Sequence, residues 1–102
     1  MDANQREFEN KTLGLRLTLT KSADDITTRE MDLFMAAYGR YPQGNSPAED
    51  ASKTLRAAIE AGWIQEPALK VADVDALKVK HMRWYAKQIN AVFNEANTVP
   101  ND

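Results

Sequence analysis

The amino-acid sequence predicts a mainly α-helical α+β fold, a three-helix domain with a short N-terminal β-strand or hairpin packed on one side. Three observations predict it. In residues 82–96, MRWYAKQINAVFNEA, the apolar side chains Met82, Tyr85, Ala86, Ile89, Val92, Phe93 and Ala96 recur at the three- and four-residue spacing of one helix face. Two earlier stretches, 28–38 and 47–61, carry the same periodicity behind helix-start signals. Residues 11–20, KTLGLRLTLT, alternate instead: Leu13, Leu15, Leu17 and Leu19 fall on one face, and Thr12, Arg16, Thr18 and Thr20 on the other. Period two is the mark of a half-buried strand.

In chain order, residues 1–10 read as a polar lead-in in which Phe8 is the one large apolar side chain after Met1. The strand at 11–20 needs a neighbour for its backbone N–H and C=O groups. Candidates within the chain are 6–9 and 68–71 (ALKV). Otherwise the strand pairs with another molecule, and the two alternatives stay open. Thr27 followed by Glu30 forms a capping box, and Met31, Phe34, Met35 and Tyr38 give a helix face over 28–38, with Gly39 as its left-handed stop. A loop, GRYPQGNS, precedes a second capping box, Ser46 with Glu49, with Pro47 at the first helical position. In this helix Ala51, Leu55, Ala58 and Ile59 form a narrow stripe. Gly62 ends it, so that Trp63 folds back onto the last turn as a core residue. Residues 65–72 are extended around Pro67. Asp73 caps a short turn in which Val74 and Leu77 face the same way. The last helix starts near Val79 and ends near Asn97. Its stripe cannot offset the entropy of ordering the helix by itself, so it packs on the other helices and on the leucine face. One domain over 11–99 follows, with 100–102 as a tail.

The 102 residues suit one domain, and 43% apolar residues supply a core. There is no cysteine, and hence no disulfide or thiolate metal site. The opening MDANQREFEN lacks the apolar region of a signal peptide, and no apolar run approaches the ~18 residues of a membrane span. A cytoplasmic protein is expected. His81 is the single histidine, and no H-E-x-x-H, EF-hand or glycine-rich phosphate loop is present. The adjacent carboxylates Glu49 and Asp50 suit the first turn of a helix. No nucleophile and base pair up in the sequence. The expectation is a chain without metal, cofactor or catalysis.

Formal charge is −2 overall, −3 over residues 1–50 and +1 over 51–102. Residues 78–87 hold Lys78, Lys80, Arg83 and Lys87 with no acid among them. Positive charge at a helix N-terminus opposes the dipole. The run is a solvated face, a surface for an acidic protein segment, or a site for nucleic acid, where Trp84 could stack on unpaired bases. Net charge argues against nucleic acid. Trp84 lies off the apolar stripe, which makes it the foremost contact residue.

The order of features, LGLRLTLT, then AAIEAGWI, a DVDAL turn and RWYAKQINAVFNEANTVP, resembles small phage and prophage tail-module proteins of the tail-assembly-chaperone type over about residues 11–100. The resemblance implies a small, mostly helical protein that holds tape-measure protein soluble and recruits tail-tube subunits in the host cytoplasm, without cofactor or catalytic residues. The function expected is therefore a protein-binding module. Lys80, Arg83, Trp84 and Lys87 form one contact surface, and Leu13, Leu15, Arg16 and Leu17 another at the strand edge, which also permits self-association through 11–20. A small nucleic-acid-binding regulator using 78–87 and a virion connector or completion protein are the rival readings.

Overall fold

The computed structural model describes residues 6–100 and places the helices at α1 (Thr28–Arg40), α2 (Pro47–Glu60) and α3 (Val79–Ala96). Thr27 caps α1 reciprocally: its hydroxyl accepts from the Glu30 N–H at 3.2 Å, and the Glu30 carboxylate accepts from the Thr27 N–H at 3.3 Å. Gly39 is not the stop. Its φ is not positive, and the helix runs on to Arg40. The terminator is Pro42, which forces Tyr41 into extended backbone at φ −90° and ψ 142°. At α2 the expected capping box is half formed. Ser46 accepts from the Glu49 N–H, but the Glu49 carboxylate reaches back one residue further, to the Asn45 N–H. The far end of α2 closes as expected. Gly62 takes φ 75°, its N–H donates to Ile59, and the Trp63 N–H donates to Ala58, the pair of bonds of a Schellman turn.

Strands β1 (Arg6–Asn10), β2 (Leu15–Leu19) and β3 (Ile64–Glu66) form an antiparallel sheet in the order β1-β2-β3. Pairing of the leucine strand is thus internal on both sides, and β2 is not an edge open to a second molecule. The strand is also shorter than 11–20. Residues 11–14 make the hairpin turn, where the Asn10 side chain accepts from the Leu13 N–H at 2.9 Å and Gly14 takes φ 68°. Of the two candidate neighbours, 6–9 is the true one and extends to Asn10. The lead-in is therefore shorter than 1–10, its first five residues lying outside the described ones. The 68–71 candidate is not a strand. Its place is taken by β3, and Val71–Ala76 form a 3-10 helix. That helix starts before Asp73, whose carboxylate instead accepts from the Lys70 N–H at 2.8 Å.

Leu17, Leu19, Leu55, Ile89 and Val92 are the largest fully enclosed side chains. Phe34 joins α1 to the rest, with its ring 4.5 Å from Trp63 and 5.4 Å from Phe93. Trp63 is a core residue as expected, and its indole N–H donates to the Glu30 carbonyl at 3.2 Å. α2 is the central helix, packed against both α1 and α3. Its buried face is wider than the stripe read from sequence, because Ala57 is as enclosed as Leu55 and Ala58. A radius of gyration of 13.3 Å matches the ~13 Å expected of one domain this long. Among the described residues no helix is long and apolar enough to cross a membrane.

Candidate protein-binding groove

α3 has two faces. Met82, Tyr85, Ala86, Ile89 and Val92 are buried, and the helix packs against α2 and the 3-10 turn Ala23–Asp25. Beside them, Lys80, Arg83, Trp84, Lys87 and Asn90 recur at the same three- and four-residue steps, which puts them in one line along the helix. This second line forms the wall of a groove of about 610 Å³. Its opposite side comes from two distant parts of the chain: Leu13 at the tip of the hairpin turn, and Pro47 with Ala51 from the start of α2.

Five of the eight residues expected from sequence therefore meet here: Leu13, Lys80, Arg83, Trp84 and Lys87. The other three do not. Leu17 is 0% exposed and belongs to the core. Leu15 is half-buried and packs against that core. Arg16 lies on the opposite face of the sheet, its guanidinium 3.7 Å from Glu9. Leu13 itself enters the groove as a turn residue, not as part of a strand. Pro47, Ala51 and Asn90 were not anticipated. Asn90 was legible as the next step of the α3 spacing, whereas the α2 residues come close only through the fold.

Trp84 is half-buried, and neither free on the surface nor enclosed. It packs against the core and sits edge-on to the Tyr85 ring at 5.4 Å. Burial pushes the Tyr85 phenol above its ordinary range. The ammonium and guanidinium groups of Lys80, Arg83 and Lys87 are exposed, and no ion pair among the described residues involves any of them. The first turn of α3 contains no acid, and Lys78 supplies no side-chain cap. Cations and uncapped amide groups thus give this end of the groove one sign of potential.

The groove continues. A second furrow of about 630 Å³ shares Pro47, Ala51 and Asn90 with it and reaches Tyr38, whose ring carries the Lys53 ammonium at 4.1 Å. A third hollow of about 250 Å³ shares Asn90 and Tyr38 and is otherwise lined by Phe34, Met35 and Phe93. The basic end holds amines, a guanidinium, an indole, an amide and aliphatic groups, and no carboxylate, imidazole or hydroxyl. Among the described residues no group of three or more His, Cys, Asp or Glu is placed to hold a metal. Such a surface can bind by apolar contact and by charge. Comparisons with protein-family models, curated proteins and solved structures found no match.

Proposed function

We propose that this chain is a non-enzymatic protein-binding module of the tail-assembly-chaperone type. It shields and delivers tape-measure or tail-tube components in the host cytoplasm. The observation that carries this reading is the groove at α3, where three cations with no ion-pair partner among the described residues flank a half-buried tryptophan above apolar walls. A large aromatic seated in a partly desolvated hollow and ringed by charge is the usual anatomy of a contact hot spot. The resemblance of the chain to tail-module proteins supplies the class of partner.

Trp84→Ala tests contact and packing together, since the ring also touches the core. Reversing charge separates the two. Arg83→Glu with Lys87→Glu changes exposed groups that make no described ion pair, so Tm should move little. In a pull-down from the native source, tape-measure or tube-type subunits identified by mass spectrometry should be retained by the wild type and lost from the double variant. Equal retention by both proteins overturns the assignment of the groove. Absence of any tail subunit from the wild-type eluate overturns the class.

A further inference from the structure

The three hollows along α3 form one track with two unlike ends, and that polarity specifies an occupant. We propose that the track takes an amphipathic α-helix of the partner, with carboxylates at one end and bulky apolar side chains at the other. The inference rests on reading the groove as a protein-binding site.

The track follows residues 80–93 of α3, a length of about 20 Å at ~1.5 Å per residue. A partner helix of three to four turns spans it. At the basic end, Lys80, Arg83 and Lys87 have no carboxylate partner among the described residues, and glutamates of the incoming segment complete those pairs. At the far end, Met35 is 46% exposed beside Phe34 and Phe93. A flexible thioether over aromatic rings accommodates an inserted leucine or phenylalanine. Between the ends, the small Ala51 and Pro47 let a second backbone come close.

The choice of a helix over an extended segment follows from what lines the track. Its walls are helices, a hairpin tip and the loop at Gln43, and among the described residues no strand edge lines it. An extended peptide would leave its own N–H and C=O groups without a ladder, whereas a helix satisfies them internally.

The test is a selection of 16-residue random peptides displayed on a surface, against the full chain, with counter-selection on Arg83→Glu/Lys87→Glu. Enriched sequences should carry two or more acids at one end and apolar residues at three- and four-residue spacing. Synthesised, they should gain helical circular dichroism on binding and bind the double variant at least tenfold more weakly. Period-two or basic consensus sequences, absence of enrichment over the variant, or self-association of the chain through this track in sedimentation each overturn the proposal. If these peptides fail while the charge reversal still releases native tail subunits, the helix inference falls and the groove assignment stands. If the reversal also fails to release them, both fall.

Discussion

At the scale of single residues, Gly44 is the one of the four glycines with no room for a side chain. A Cβ built there would lie 2.7 Å from Glu49 Cβ and 3.0 Å from the Asp50 backbone nitrogen. The loop backbone is pressed onto the first turn of α2, and neither atom is the free end of a side chain. Gly44→Ala should cost about 1–3 kcal/mol, a fall in Tm of several degrees by calorimetry; an unchanged Tm would mean that the loop lifts away freely. Glu30 makes a second prediction. The Lys21 ammonium, 2.6 Å away, holds its carboxyl below the ordinary value of 4.5, and Thr27 adds to this. A depressed folded-state pKa stabilises the fold above the unfolded value and ceases to do so as pH falls through the folded one. The Tm difference between wild type and Glu30→Gln should be full at neutral pH and shrink below about pH 4.5. The two tryptophans show what single positions reveal in advance. Trp63 followed an α2-ending glycine, and the geometry of that turn dictates burial. Trp84 had no such local constraint, and its half-burial depends on how α3 is rotated against the core.

At the scale of elements, periodicity identified every long helix, because three or more turns repeat the signal. It blurred at the hairpin. Leucines at 13, 15, 17 and 19 alternate through turn and strand alike, and only Asn10 and Gly14 mark where the turn lies. β3, with three residues, is too short to show a period. Of the two edges, β1 is the longer, and its sequence opposes self-pairing. Two copies related by a two-fold axis must set side chains of the same face opposite each other, odd position against odd. Within Arg6–Asn10 the odd positions are Glu7 and Glu9, so every such antiparallel register that overlaps three or more of these residues places glutamate against glutamate. Glu7→Thr with Glu9→Thr removes that repulsion and adds β propensity. Sedimentation velocity should show the variant, unlike the wild type, dimerising as concentration rises. A variant that stays monomeric would show that charge is not what protects the edge.

At the scale of the whole molecule, the groove exists because three segments far apart in sequence converge: the hairpin tip at Leu13, the start of α2 and one line of α3. Only the α3 line was visible beforehand, since it alone repeats within one element. The same convergence bears on the proposal of a protein partner against the rival of a nucleic acid. Lys80, Arg83 and Lys87 span about 10 Å of helix at ~1.5 Å per residue. The adjoining furrow is lined by Asp50 and Lys53, which add no net charge, and the chain's net charge is −2. Duplex DNA presents one charge per ~1.7 Å, and a protein that makes about 6–10 phosphate contacts shows a correspondingly steep loss of affinity with salt. Three cations beside a furrow of no net charge fall short of that and would give a salt slope of only about −2.7. No retardation of duplex DNA or RNA is therefore expected at 10 mM salt and ~10 μM protein, while acidic helical peptides remain bound. A retarded complex lost with a slope near −6 or steeper would require a basic track wider than α3 provides, and would make the nucleic-acid reading the better one.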